Sequence, residues 1–268
     1  MQLHPVDSHT KLKLGDADAK ASKKTPKDDE LDEGIAVAVE RLGDLQKKFY
    51  ADSSRALLVV LQGRDASGKD GTVRQVFEAV NPQGCTVTSF KKPTDIEMRH
   101  DYLWRVHQAV PPRGMIGVFN RSHYEEVLVS RVHGLVPKKV WSKRYEQIND
   151  FERMLFENDV VILKFFLHIS REEQKHRLID RLTDAKKNWK FQASDLDDRA
   201  LWNDYTRAYR DMLRECSTDC APWYIVPAND KKVRNYFIAR CIVKTLEAID
   251  PHYPAADPKV LKYASKIV

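Results

Sequence analysis

Strands alternating with helices along most of the chain predict an α/β protein, a three-layer α/β/α arrangement in which helices cover both faces of a mostly parallel sheet. Three observations carry that expectation. Residues 56–61 are an unbroken apolar run, as a strand buried on both faces requires. Gly63, Gly68 and Lys69 follow it in the spacing G-x-x-x-x-G-K. Four later β-like runs, 85–90, 115–119, 160–169 and 223–226, then alternate with segments of helical periodicity.

The stretch GRDASGKDGT, residues 63–72, reads as a phosphate cradle. A glycine-bearing turn between strand and helix points successive backbone N–H groups into one concavity, and the helix predicted from about Asp70 adds its positive dipole end. Gly63, Ala66, Gly68, Lys69, Asp70, Gly71 and Thr72 are therefore candidate phosphate-binding residues, with Lys69 as the mobile cation. The usual motif ends in a Ser or Thr that binds magnesium, whereas this chain has Asp70. The metal must then find other oxygen ligands, and Asp65 inside the loop is the nearest carboxylate.

Before the first strand, residues 1–32 are polar and nearly charge-balanced, which predicts a flexible arm that drapes over the domain or over a neighbouring subunit. Ile35, Val39, Leu42, Leu45 and Phe49 recur at helical spacing and predict an amphipathic helix over 33–50. After the loop helix (about 70–80), Asn81-Pro82-Gln83-Gly84 is a turn leading into the second strand. Lys91 and Lys92 stand where that strand ends, the end that faces the ligand crevice in open α/β sheets. They are either phosphate contacts or solvated surface. Thr94 and Glu97 predict a capping box for a helix holding Tyr102, Trp104 and Val106.

The third strand runs into Asn120-Arg121-Ser122-His123-Tyr124-Glu125. Asn120 occupies the place where nucleotide-binding loop proteins carry a metal-holding Asp. Glu125 has two readings: it restores the missing charge if a helix from Ser122 turns it back to the loop, or it caps that helix as the last residue of S-x-x-E. Arg121, beside the crevice, suits a bidentate grip on phosphate. A long helix over 137–157 follows, with an aromatic and aliphatic stripe for the core or a subunit contact. Ser170 and Glu173 cap the next helix, on which Arg177 and Arg181 share a face while Leu178 and Leu182 turn inward. Residues 183–198, polar and basic with Trp189 and Phe191, lie where a kinase carries a lid, the alternative being a solvated loop. Helices over 201–216 and 233–249 flank the fifth strand, and 251–268 reads as a tail.

The chain has 268 residues, 42% hydrophobic and 31% charged, which suits one large soluble domain with additions. No apolar run reaches the roughly 18 residues of a membrane span, and the N-terminus has no apolar signal region. Four cysteines, Cys85, Cys216, Cys220 and Cys241, without such a signal point to reduced thiols and a cytoplasmic protein. The net charge of +6 suits a partner carrying many negative charges, whether nucleic acid, an anionic membrane, nucleotides or a phosphate polymer, the alternative being a merely soluble basic surface. No zinc-binding, RNA-recognition or helix-turn-helix signature accompanies it, which argues against nucleic acid, and no N-K-x-D sequence supports a guanine-nucleotide switch.

The quoted segments resemble the polyphosphate kinase 2 family, through GRDASGKDG (63–71), FNRSHYEEVLVSRVHG (119–134), KFFLHIS (164–170), WKFQASDLDDRALW (189–202) and APWYIVPAN (221–229). The resemblance runs from about Leu45 to His252. Asn120 and Glu125, in place of a more usual Asp, are similar to the subgroup that phosphorylates both AMP and ADP. It implies a P-loop kinase fold, thymidylate-kinase-like, with a parallel five-stranded sheet and a helical lid over 183–198 within a domain over 33–254. It implies Mg2+, for which Mn2+ could substitute, inorganic polyphosphate as donor, AMP or ADP as acceptor with ATP among the products, and guanine nucleotides as further acceptors. A homo-oligomer, dimer or tetramer, is implied as well. By position, Asp65 would hold metal and orient the acceptor, Lys69 would neutralise the transferred phosphoryl, and Arg121 would grip nucleotide phosphate. Arg177 or Arg181 would be the lid cation, Glu125 would serve metal or nucleotide, and Asp195 would tie the lid to the metal. A basic groove drawn from Lys91, Lys92, Arg131, Lys138, Lys139 and Lys143 would then track the donor. An ATP-dependent nucleoside or nucleotide kinase is the alternative enzyme reading.

Overall fold

The computed structural model describes residues 2–7, 12–263 and 266–267; the remaining residues of the predicted arm and tail lie outside the described residues. Strand β1 (Ala56–Gln62) is buried along its whole length, as its apolar run requires. Strands β2 (Cys85–Ser89), β3 (Ile116–Asn120), β4 (Val160–His168) and β5 (Trp223–Pro227) join it in one sheet of order β2-β3-β1-β4-β5. Every pairing is parallel. The neighbouring register Leu61↔Asn120 sets the ends of β1 and β3 side by side, so the loops leaving them share one crevice.

Period-two alternation in β1 divides the core. Leu57, Val59 and Leu61 face a layer made by α1 (Asp28–Asp52), α2 (Lys69–Val76) and α9 (Lys231–Ile249). Ala56, Leu58 and Val60 face α4 (Glu125–Val132), α5 (Lys138–Glu157) and α8 (Trp202–Glu215), with the short α3 (Trp104–Gln108) at its border. Helix α6 (Arg171–Thr183) follows β4 and leads through a 3-10 turn at Asn188–Lys190 into α7 (Ser194–Ala200); α10 (Pro258–Leu261) lies in the C-terminal segment. Helix ends obey local chemistry: Ser170 Oγ caps α6 by accepting from the Glu173 amide at 3.2 Å, and Asp230 caps α9. No helix among the described residues is long and apolar enough to cross a membrane.

Several boundaries differ from the sequence expectation. Helix α1 begins at Asp28 rather than at residue 33, because Asp28, Asp29 and Glu30 suit its positive N-terminal end. The Thr94–Glu97 capping pair forms, but it heads a single 3-10 turn at Glu97–Arg99. Leu182 is exposed rather than inward, since α6 projects past the core there, whereas Leu178 is buried. The described N-terminal residues lie along the edge of β5, where the Val6 amide donates to the Trp223 carbonyl and the Asn229 amide to the Ala19 carbonyl.

Candidate active site

The loop between β1 and α2 is held by its carbonyls. Lys69 Nζ donates to the carbonyls of Gly63 at 2.7 Å and Arg64 at 3.3 Å. Gln174 reaches the Asp65 carbonyl at 3.2 Å, and Arg177 Nη1 reaches those of Ala66 at 2.9 Å and Ser67 at 3.1 Å. The carbonyls of Gly63, Arg64, Asp65, Ala66 and Ser67 are thus taken up by side chains, which keeps them from opposing an anion at the loop amides. Glycine is required at two points. A Cβ on Gly63 would stand 2.7 Å from the Leu167 carbonyl oxygen, and Gly68, at φ 99°, has Arg234 Nη1 where a Cβ would go. Ala66 and Arg121 adopt the left-handed region as well, at φ 63° each. Thr72 is buried with an unpartnered hydroxyl, so its side chain lies inside the fold under the loop.

Charged side chains converge on this loop from three directions. Arg121, after β3, pairs with Asp65 at 2.6 Å. Glu125, in the first turn of α4, accepts from the Gln62 amide at the end of β1. The two readings of Glu125 are thereby separated: Ser122 Oγ accepts from the Tyr124 amide, α4 starts at Glu125 rather than Ser122, and the Glu125 carboxyl turns to the loop. Arg181 of α6 pairs with Asp195 of α7 at 3.1 Å, and Asp195 lies close enough to Asp65 for the two carboxylates to repel. Lys190, in the 3-10 turn before α7, sits 3.5 Å from Asp70. Asn120 Nδ2 donates to the other oxygen of Asp70 at 2.8 Å.

The electrostatics follow from burial and from these partners. Burial brings the Lys69 ammonium down to about 8, with Arg121 pushing the same way and Asp65 and Glu125 opposing. Burial works to raise the Asp65 carboxyl, but Lys69 and then Arg121 outweigh it and hold it below the usual carboxylate range. Burial lifts Glu125 and Asp195 above their ordinary values, Asp65 adding to the rise at Asp195. No three His, Cys, Asp or Glu side chains among the described residues converge into a metal site by themselves. Asp65 and Asp195 nevertheless suit a hard cation such as Mg2+, which takes one or two carboxylates and completes its shell with phosphate oxygens and water.

Not every candidate meets at this point. Arg177 and Arg181 were alike in sequence, yet Arg177 is buried and spends its fork on Ala66, Ser67, Ala228 and Asn229 carbonyls and on Glu173, which makes it a loop clamp. Arg181 alone of the two stands with the lid carboxylate. Lys91 and Lys92 are exposed beyond the edge strand β2, where Arg105 donates to the Lys91 carbonyl. Arg131 is withdrawn from the expected groove, paired with Asp211 at 2.8 Å and set over the Trp141 ring. Lys138, Lys139 and Lys143 are exposed at the start of α5.

Comparison with known proteins places the chain in a family. The family model described as polyphosphate kinase 2 matches residues 24–254. The chain belongs to the polyphosphate kinase 2 family. It is 53% identical over 222 residues to the AMP/ADP-polyphosphate phosphotransferase of Meiothermus ruber, covering 83% of each chain. It is 45% identical over 236 residues to the ADP-polyphosphate phosphotransferase of Rhodopseudomonas palustris, covering 84% of this chain and 82% of that one. The crystal structure of polyphosphate kinase 2 from Arthrobacter aurescens superposes with a TM-score of 0.90 at 39% identity, covering 98% of this chain and 94% of the other.

Around the polyphosphate kinase 2 motifs, the fold adds residues that sequence reading passed over. Arg64 turns away from the loop to donate to the Trp202 carbonyl at 3.1 Å and to Thr206, with its guanidinium 3.7 Å from the Trp202 ring centroid. The loop is thus tied to the helices on either side of residues 184–201, through Gln174 and Arg177 on α6 and through Trp202 on α8. Arg234, from α9, lies behind Gly68. Beneath Arg121, Glu152 of α5 accepts from Tyr124 at 2.8 Å and pairs with fully buried Lys164 of β4, whose Nζ also reaches the Tyr124 hydroxyl at 2.7 Å. A lysine in the middle of an apolar strand was the one signal for this network; its partners come from distant segments.

Proposed function

We propose that this protein is a polyphosphate-dependent nucleotide phosphotransferase, moving the terminal phosphoryl group of inorganic polyphosphate to AMP and ADP. One observation carries the reading: Lys69, Asp65, Arg121, Glu125 and the pair Arg181 and Asp195 converge on a loop whose carbonyls from Gly63 to Ser67 are engaged by side chains. Phosphoryl transfer asks little covalent chemistry of a protein and much positioning and charge neutralisation.

In this reading the loop amides and Lys69 hold the transferring phosphoryl, and Arg121 grips an acceptor phosphate while its contact to Asp65 fixes its reach. Arg181 closes over the site with the lid, and the dry interior strengthens each of these contacts. Asp65 and Asp195 would hold a divalent ion, Mg2+ in the first instance and Mn2+ in its place, with Glu125 in reserve beside Gln62. Bound there, such an ion would supply charge neutralisation for phosphoryl transfer. Adenine nucleotides are the acceptors proposed first and guanine nucleotides second. A cytoplasmic location and assembly as a dimer or tetramer belong to the same reading, the assembly to be checked by light scattering.

Purified protein given Mg2+, AMP and long-chain polyphosphate as sole donor should form ADP and then ATP. Turnover with ATP as the only effective donor would instead identify an ATP-dependent nucleotide kinase.

A further inference from the structure

Arg234 stands in the first turn of α9, on the carbonyl side of the loop, and is 2% exposed. Its hydrogen bonds go to neutral acceptors: Asn235 Oδ1 takes Nε at 3.1 Å and Nη2 at 2.9 Å, and the Ser67 carbonyl lies 3.5 Å from Nη1. The other arginines that bear on the cradle are compensated, Arg121 by Asp65, Arg177 by Glu173 and Arg181 by Asp195. Arg64 also lacks a carboxylate, but its guanidinium faces Trp202 and α8. Arg234 forms no ion pair among the described residues, and its guanidinium fills the space that a Cβ on Gly68 would need.

A buried, unpaired cation is a burden to a fold, and an apolar side chain of similar length would be tolerated better. Its retention behind a phosphate cradle calls for a return in function.

We propose that Arg234 is an electrostatic positioning residue for the polyphosphate donor: a buried guanidinium in no ion pair that makes the concave face of the loop more positive without touching the substrate. The inference rests on reading this loop as the polyphosphate cradle. The charge acts through one layer of backbone, where water and salt screen it little. Asn235 and Ser67 orient the guanidinium without cancelling its charge. Burial, with Arg177 adding to the effect and the more distant Asp230 opposing it, lowers its proton affinity to about 10, so it remains cationic at neutral pH.

The test separates charge from shape. Wild type, Arg234→Lys and Arg234→Met are compared for Tm without ligand, for the Tm rise on adding linear polyphosphate, and for KM and kcat with polyphosphate, Mg2+ and AMP. Arg234→Met should match or exceed the wild-type Tm without ligand, yet show a smaller polyphosphate-induced rise and a KM for polyphosphate raised about tenfold. Arg234→Lys, which keeps the charge and loses the fork, should stay within about threefold of wild type. A merely structural arginine would give the opposite pattern, a lowered Tm in both variants and equal losses in both, and that result overturns the proposal. So does a Met variant with wild-type KM. Should the Met variant not fold, Arg234→Gln takes its place, and wild-type KM in that variant overturns the proposal equally. If wild type itself shows neither turnover nor a polyphosphate-induced shift, the reading of the loop fails first, an outcome distinct from a responsive wild type with an equally responsive Met variant.

Discussion

Asn120 Nδ2 donates to Asp70 Oδ1 at 2.8 Å and joins the end of β3 to the first turn of α2. In the usual loop motif these two positions are Asp and Ser or Thr, and both serve a metal. Here each residue satisfies the other, which leaves Asp65 and Asp195 as the carboxylates we assign to the ion. Asn120→Asp would set two carboxylates against each other and should lower kcat about tenfold, while adding Asp70→Ser should recover most of that loss. A double-mutant cycle on kcat checks the coupling, and strictly additive losses would show that the two positions act apart.

Lys69 carries opposite consequences for activity and stability. Its ammonium, at about 8, lies below the ordinary 10.5. Between those values the unfolded chain binds more protons than the folded one, so the stability of the ligand-free protein should rise with pH across that window. Activity needs the cation and should fall there, giving an alkaline limb of kcat/KM near 8. Lys69→Met should flatten the stability rise and cost on the order of 10²-fold in rate. Denaturation midpoints and initial rates from pH 7 to 10.5 test both signs.

Arg177 and Arg181 should part company on mutation. Arg177→Met removes the fork that holds four backbone carbonyls and strands Glu173, a loss of about 3 kcal/mol in stability. Arg181→Met should leave Tm within a few degrees of wild type and lower kcat by about 10²-fold. Chemical denaturation beside steady-state kinetics distinguishes them, and the same pattern in both variants would contradict the division of labour.

The Glu152 and Lys164 pair holds His123 and Tyr124 directly after Arg121. Glu152→Leu alone leaves Lys164 buried and unpaired, which should cost about 3–5 kcal/mol. Glu152→Leu with Lys164→Met should restore most of that stability. If the double variant is no more stable than the single one, the pair is not what makes the single substitution costly.

Metal dependence has a simple check. Chelation with EDTA should abolish nucleotide formation and Mg2+ should restore it, whereas Asp65→Asn should raise the Mg2+ concentration needed for half-maximal rate by about tenfold or more. An unchanged Mg2+ requirement in that variant would remove Asp65 from the metal site.

Chain order and side-chain pattern alone determined the parallel α/β sheet, the glycine-bearing loop at residues 63–69 and the crevice shared with Arg121, because apolar alternation, glycine spacing and strand ends are local signals. Tertiary structure decided the rest. Arg177 and Arg181 lie one turn apart on α6 and carry the same chemistry, but only the packing of the loop against α6 buries one and leaves the other beside the lid carboxylate. Glu125 could cap a helix or face the loop until Gln62 arrived from β1. Lys91, Lys92 and Arg131 were equal members of a basic surplus until Asp211 and Trp141 claimed the last of them. Arg234 carried no sequence signal, because its place behind Gly68 depends on α9 docking under a loop from the other end of the chain. Periodicity reports which face of an element is apolar; hydrogen bonds and ion pairs are short and directional, so their partners are chosen only when distant segments meet.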